Sequence, residues 1–253
     1  MKEPKPEIVI QQDYQGFHNI HLDDETKDRI EKAQSYKNQS TICIIPCFNT
    51  LPTKAVESWL GLIPAMNQRF MRIFAKNMEV GTAYSETIDW IVGNPQRKID
   101  PHPELSNWKY ILTLEHDNLP PPDGIIKLYE DIGDYDAVGG IYFTKGAGGL
   151  PMCYGKPDDY PKSFIPFLPE PDSVTRCNGL GMGFTLFKMD MFKDVRLPRP
   201  LFKTVAKYTE GKGVEAYTQD LRFFEDAGKL GYKFACSSRV KVGHYDTVDD
   251  FVW

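Results

Sequence analysis

Glu115-His116-Asp117 directly follows the apolar run Tyr110-Ile111-Leu112-Thr113-Leu114. Side chains two apart on an extended segment point the same way, so Glu115 and Asp117 can face one site at the end of a strand. Two carboxylates converging there repel unless a cation or a proton lies between them, and oxygen donors of this kind suit Mg2+ or Mn2+. An acid-x-acid triplet alone is more often a solvated turn; its place after an apolar strand is what favours a site. Two further groups with usable chemistry lie late in the chain, Asp220 in Thr218-Gln219-Asp220 and His244 in Val242-Gly243-His244. A carboxylate can take a proton from a hydroxyl, and an imidazole can ligate a metal. By residue type alone, Asp220 would serve as well in the first turn of a helix, where an acid suits the dipole. A lone histidine after a strand is more often structural than a ligand.

The elements that must position these groups follow from the apolar pattern. Thr41-Ile42-Cys43-Ile44-Ile45 is a continuous β-branched run of the kind buried on both faces of a parallel sheet. Pro46-Cys47-Phe48-Asn49 ends it, and a helix with Val56, Trp59, Leu60 and Ile63 on one face is expected to run up to Pro64. A strand over 70–74 follows, then a helix with Tyr84, Ile88, Ile91 and Val92 on one face that stops at Gly93-Asn94-Pro95. The strand 110–114, a helix carrying Ile125, Leu128, Tyr129 and Ile132, and a strand over 137–143 continue the alternation. Strand and helix in turn predict an α/β sheet with helices on both sides, whose ligands lie at the carboxyl ends of the strands.

The alternation breaks at Lys145. Between Gly146 and Asp172 stand six prolines and the aromatic residues Tyr154, Tyr160, Phe164 and Phe167. A loop this long inside a compact domain usually has a function. Regular structure is expected again at 183–187, in a helix from Thr218 with Phe223, Ala227 and Leu230 on one face, and in a strand over 233–237 that leads to His244. Residues 1–38, polar and charged, are expected to form an N-terminal extension with a short helix near Asp23-Asp24-Glu25, packed on a domain spanning 39–253, with a partner-binding arm as the alternative.

In order and spacing, five of these segments resemble the GT-A-fold glycosyltransferases, especially the inverting family 2, over about residues 40 to 246. The strand 110–114 with Glu115-His116-Asp117 is similar to that family's DxD region, Glu115 standing where the family has Asp. The resemblance implies that Asp117 chelates the metal bridging the donor diphosphate and that Glu115 faces the donor ribose or a metal-bound water. Pro46-Cys47-Phe48-Asn49 resembles the turn bordering the nucleotide, which assigns Pro46, Phe48 and Asn49 to donor binding; Phe48 replaces a Tyr. Gly81-Thr82-Ala83-Tyr84 lies where the family has an Arg-Asn pair, absent here. Asn178-Gly179-Leu180-Gly181-Met182-Gly183 resembles a glycine-rich segment before the family's late strand; on its own it reads equally as a ligand approach or a tight bend. Thr218-Gln219-Asp220 resembles the Glu-Asp motif, which makes Asp220 the catalytic base, with Gln219 in place of Glu. Val242-Gly243-His244 resembles the terminal strand whose histidine completes the metal site. The expectation is a GT-A (Rossmann-like) α/β fold with a mixed, mostly parallel sheet. It would carry a Mn2+- or Mg2+-dependent transfer of sugar from a nucleotide-sugar donor to a glycan or other hydroxyl acceptor.

Composition bounds this reading. Hydrophobic residues make up 41% and charged residues 26%, which suits a globular chain with a substantial core. The net charge of -5 gives no basic footprint for a nucleic-acid partner. Five cysteines without a CxxC pair favour reduced thiols and a cytoplasmic setting. No stretch reaches the ~20 apolar residues of a membrane span. One rival is a nucleotidyltransferase, which would need a glycine- and lysine-rich phosphate loop after the first strand; the turn here is Pro46-Cys47-Phe48-Asn49-Thr50-Leu51-Pro52. The other is a non-catalytic nucleotide-sugar- or glycan-binding protein that kept the fold, which the departures Glu115 and Gln219 leave open.

Overall fold

The computed structural model describes residues 7–11, 39–66, 68–158, 163–209 and 213–253. The helix expected near residue 24 and the side chain of Tyr160 lie outside them.

Along the chain, β1 (Glu7–Gln11) precedes β2 (Thr41–Cys47), α1 (Thr53–Leu60), β3 (Phe70–Lys76), α2 (Val80–Val92), β4 (Tyr110–Leu114), the two-residue β5 (Asn118–Leu119), α3 (Gly124–Asp131) and β6 (Ala137–Ile141). The second half holds β7 (Cys153–Tyr154), β8 (Val174–Cys177), β9 (Gly179–Leu180), β10 (Phe184–Lys188), the short α4 (Met189–Phe192), β11 (Val205–Thr209), β12 (Gly213–Tyr217), α5 (Gln219–Lys229), β13 (Phe234–Lys241), β14 (Gly243–Asp246) and β15 (Phe251–Val252).

Eight strands form the central sheet in the order β1-β3-β2-β4-β10-β6-β13-β8. β3, β2, β4, β6 and β13 point one way; β1, β10 and β8 run against them. The sheet is therefore mixed with most strands aligned. Its antiparallel β10 sits between β4 and β6, an order that strand-helix alternation alone does not imply. β1 lies inside the stretch expected as an extension and adds the edge strand on β3 through Glu7↔Lys76 to Gln11↔Arg72.

Period-2 alternation sorts each strand into two cores. Ile42, Ile44, Ile73, Ile111 and Phe187 face one side with Tyr84, Ile88 and Ile91 of α2 and Phe223, Phe224 and Ala227 of α5. Cys43, Ile45, Leu112, Leu114 and Leu186 face the other with Ala55 and Trp59 of α1 and Ile125, Leu128 and Tyr129 of α3. Helices thus cover both faces, and each large apolar side chain buried this way contributes roughly 1.5–3 kcal/mol.

α2 begins where Glu79 caps the amide of Thr82 at 2.9 Å and ends at Gly93, whose φ of 83° suits glycine. α1 stops earlier than the sequence pattern suggests. It ends at Leu60, which is 71% exposed, and Leu62 beyond the helix takes the buried place instead. The amide of Gly61 closes the helix on Glu57 O at 3.1 Å, well before Pro64. β13 runs to Lys241, longer than expected, with a register shift against β6 between Ser237 and Lys241. β6 ends at Ile141 rather than at residue 143.

Candidate active site

Because β2, β4, β6 and β13 run in the same direction, their carboxyl ends deliver four segments to one rim: Phe48-Asn49, Glu115-His116-Asp117, Tyr142 to Lys145, and Gly243-His244. A second, three-stranded sheet locks two of them together. β14 pairs with β5 through Gly243↔Leu119 and His244↔Asn118, and the amide of Tyr245 donates to Asp117 O at 2.8 Å. β15 closes the other side of β14, His244 and Trp253 exchanging both backbone hydrogen bonds at 3.0 Å. The histidine is held by main chain on two flanks.

His244 Nε2 stands 3.5 Å from Asp117 Oδ2, with side chains 16% and 13% exposed. The His244 Nδ1–H donates to Phe143 O at 2.7 Å, since a carbonyl can only accept. That bond occupies Nδ1 and turns Nε2 toward the carboxylate, to which it donates when the ring is protonated and beside which it offers a lone pair to a cation when the ring is neutral. Ligating histidines characteristically tie the other ring nitrogen in this way. The Tyr142 ring meets the imidazole edge-on at 5.6 Å and holds its plane. With the ring neutral, a lone pair facing a carboxylate oxygen calls for a positive charge. In the structure Lys145 supplies one, its Nζ lying 2.6 Å from the same Oδ2. Two donors on one ion at about 2.1 Å stand about 3.0 Å apart at a right angle and about 4.2 Å apart when opposed. The observed 3.5 Å therefore fits one small divalent cation between Asp117 and His244. Among the described residues no group of three or more His, Cys, Asp or Glu side chains is arranged to enclose an ion, so the protein offers this pair and leaves other positions to ligand or water.

The carboxylates at the rim differ in electrostatic state. Burial pushes the Asp117 carboxyl up, but the neighbouring His244 and Lys145 outweigh it and hold it well below the usual carboxylate range. Burial pushes Glu115 up to about 8, the charges of Asp117 and Asp220 add to the effect, and Lys145 opposes it. Asp220, at the start of α5 and 8% exposed, is raised by burial against hydrogen bonds from Thr218 Oγ1 and from the Leu221 amide at 2.9 Å. Gln219, next to Asp220, lies against Gly81 in the first turn of α2, just past the carboxyl end of β3, so the start of α5 stands on the same rim as the acidic turn, and Glu115 feels the charge of Asp220. Perturbed carboxylates gathered at strand ends are what an active site requires.

The other sequence-assigned residues divide. Pro46 is buried inside β2, opposite Ala75, while Phe48, 60% exposed, and Asn49 stand free at the rim. Tyr84 is buried in the core, its hydroxyl 3.5 Å from Met182 O. The glycine-rich segment has a packing explanation: a Cβ on Gly181 would run into the Tyr142 hydroxyl, and one on Gly183 into Tyr142 Cζ and Asn118. The Gly183 amide also donates to the Tyr142 hydroxyl at 2.9 Å. Gln219 accepts from Thr204 Oγ1 at 3.1 Å, and its Cβ lies 3.2 Å from where a Cβ on Gly81 would stand. In the long loop, Phe164 and Phe167 pack on the hydrophobic core; Tyr154 is partly buried and feels the charges of Asp220 and Glu115. Sequence reasoning missed Lys145 and Tyr142. Lys145 opens the loop beyond β6 as a lone lysine, and β6 is separated from β4 by β10, so nothing local in the sequence marks it.

Neither a protein-family model nor a curated protein sequence matches the chain. Solved structures do resemble it. A197 from STIV aligns over 84% of this chain and 92% of its own, with 16% identity and a TM-score of 0.53. GalNAc-T7, solved with UDP, GalNAc and Mn2+, aligns over 82% of this chain with 12% identity and a TM-score of 0.50. The chain spans 44% of that protein's chain. With the sheet and helices described above, these likenesses show a GT-A-like fold. Among the described residues no helix is long and apolar enough to cross a membrane.

Proposed function

We propose that this chain is a metal-dependent glycosyltransferase that moves a sugar from a nucleotide-sugar donor to an acceptor hydroxyl with inversion, Asp220 acting as base. The observation that carries the reading is the pairing of His244 Nε2 with Asp117 Oδ2 at 3.5 Å, on the same rim as Asp220. The fold shared with a protein solved with UDP, GalNAc and Mn2+ lends the donor class and the metal.

Asp117 and His244 would hold the cation against the donor diphosphate, with Glu115 beside the ribose or a water and the turn Pro46-Cys47-Phe48-Asn49 beside the nucleotide. When bound, Mn2+ or Mg2+ supplies positive charge where the leaving diphosphate becomes more negative. The exposed Phe48 ring offers a face for a base. Asp220 would accept the proton of the acceptor hydroxyl as that oxygen attacks the anomeric carbon from the face opposite the leaving group; a base of this kind contributes ~10²–10⁴-fold. Tyr154, which feels the charge of Asp220, would contact the acceptor.

The test is incubation with a panel of nucleotide sugars and Mn2+, following release of the nucleoside diphosphate and the anomeric configuration of the product. Release that depends on Mn2+ and is lost in Asp117→Ala supports the reading. Retained configuration removes Asp220 as a simple base. Pyrophosphate release from a nucleoside triphosphate and sugar phosphate supports a nucleotidyltransferase instead, and nucleotide-sugar binding without turnover supports a binding protein.

A further inference from the structure

Lys145 is the residue at this rim that the proposed chemistry leaves without a role. Its ammonium and His244 Nε2 converge on the same atom, Asp117 Oδ2, at 2.6 and 3.5 Å. The lysine side chain is 31% exposed, so its head is partly desolvated rather than waving in water. The backbone beneath it is anchored. Thr144 N donates to Leu150 O at 2.9 Å and Leu150 N donates to Thr144 Oγ1 at 2.9 Å, closing a small hairpin. Gly146 and Gly148 at its tip have φ of 100° and 79°, and a Cβ on either would meet nothing within 4 Å. The anchored strand end fixes where the lysine starts, while its four-carbon stem and the open hairpin leave the ammonium free to move.

An ammonium 2.6 Å from Asp117 Oδ2 and a divalent cation bound to the same oxygen repel each other as like charges, so the two compete for it. Arrival of the cation therefore frees Lys145. A freed ammonium in this crevice needs a new anion, and the one arriving with the cation is the donor's diphosphate. Lysine is suited to the task, a compact point charge on a flexible stem that binds phosphate oxygens without a fixed fork geometry.

We propose that Lys145 is an exchangeable counter-ion: it neutralises Asp117 before the donor binds and passes to the donor's diphosphate when a divalent cation takes the carboxylate. This rests on the metal-dependent reading above and goes beyond it by coupling the two ligands. The cation alone binds against competition from Lys145, and diphosphate relieves that competition by engaging the lysine. The coupling is reciprocal, so each ligand tightens the other by the same factor.

The experiment uses the full chain and two probes, Mn2+ and inorganic pyrophosphate, with calorimetric titration of wild type, Lys145→Met and Lys145→Arg. Thermal melting of each variant confirms that it is folded. Lys145→Met is expected to bind Mn2+ alone about 5–10-fold more tightly than wild type, and, once Mn2+-loaded, to bind pyrophosphate about tenfold more weakly. Lys145→Arg, which keeps the charge, is expected to stay nearer wild type in both. Equal Mn2+ affinity in wild type and Lys145→Met, or equal pyrophosphate affinity of their Mn2+ forms, overturns the exchange while leaving the metal site standing. Absence of Mn2+ binding in both overturns the metal reading and the exchange with it. Mn2+-independent pyrophosphate binding that Lys145→Met abolishes would also overturn the exchange, by making the lysine itself the cation of the site.

Discussion

The amide of Tyr245 donates to the carbonyl of Asp117 at 2.8 Å, and this one main-chain bond welds the last sheet of the chain to its acidic turn. It fixes the offset between β14 and β5, so the preceding residue, His244, arrives opposite Asn118 with its ring beside Asp117. A site assembled through backbone pairing is preorganised: neither side chain has to be ordered when ligand binds.

Removing either member of the pair should abolish cation binding without unfolding the protein. Asp117→Ala and His244→Ala are expected to lose the rise in melting temperature that Mn2+ with nucleotide sugar gives wild type, since only a ligand of the native state raises it. His244→Ala also frees the Phe143 carbonyl, and a small loss of basal stability, ~1 kcal/mol, should accompany it. Melting curves with and without Mn2+ separate the two effects.

Asp220→Asn should lower kcat by ~10²–10⁴-fold while leaving Mn2+ affinity unchanged. The pH profile gives a second readout. A base works only when deprotonated, and burial raises the Asp220 carboxyl above its ordinary value. Activity should therefore be present above that raised value and fall as the pH drops through it. The acid limb should lie above the ~3.9 of a free aspartate and disappear from the residual activity of Asp220→Asn.

Gly183→Ala tests whether the glycine-rich segment exists for packing. The added methyl would meet Tyr142 Cζ and the Asn118 side chain, whose backbone is held by Trp59 Nε1 donating to the main-chain carbonyl of Asn118 at 3.0 Å. Overpacking of this kind costs about 1–3 kcal/mol, to be read by urea unfolding. The same shift should move the acidic turn and lower activity, whereas a mere bend would accept alanine.

Away from the site, Asp89 is held by Arg199 and by Asn94 Nδ2 at 2.5 Å, and it is 2% exposed. Arg199 Nη2 also donates to Phe192 O at 2.6 Å. Arg199→Met leaves the buried carboxylate with Asn94 and the more distant Arg97, at 3.7 Å, and is expected to destabilise the chain by about 3 kcal/mol. Chemical unfolding measures it, and Mn2+ affinity of the folded fraction should not change.

Much of the sheet was legible because burial on both faces demands continuous apolar runs, and 41–45 and 110–114 are such runs. α1 was legible in existence but not in extent: Val56, Leu60 and Ile63 keep helical spacing, yet the chain leaves the helix at Gly61 and buries Leu62 instead. Periodicity cannot say which of two overlapping apolar stripes finds a partner. The place of β10 between β4 and β6 depends on pairing across a long excursion, which no local pattern encodes. Within the site, Glu115, Asp117, Asp220 and His244 stood out by residue type and order. Lys145 did not, because its partner is 28 residues away and a lone lysine opening a loop carries no local signal. The glycines at 181 and 183 looked open to a ligand approach because the Tyr142 ring that fills their space comes from another strand end.

The most direct measurement is anomalous diffraction from crystals grown with Mn2+ and a nucleoside diphosphate. The account predicts one strong anomalous peak bonded to both Asp117 Oδ2 and His244 Nε2, with the diphosphate oxygens completing its shell. No peak at saturating Mn2+, or a peak bonded to other side chains while Lys145 stays on Asp117, would contradict it.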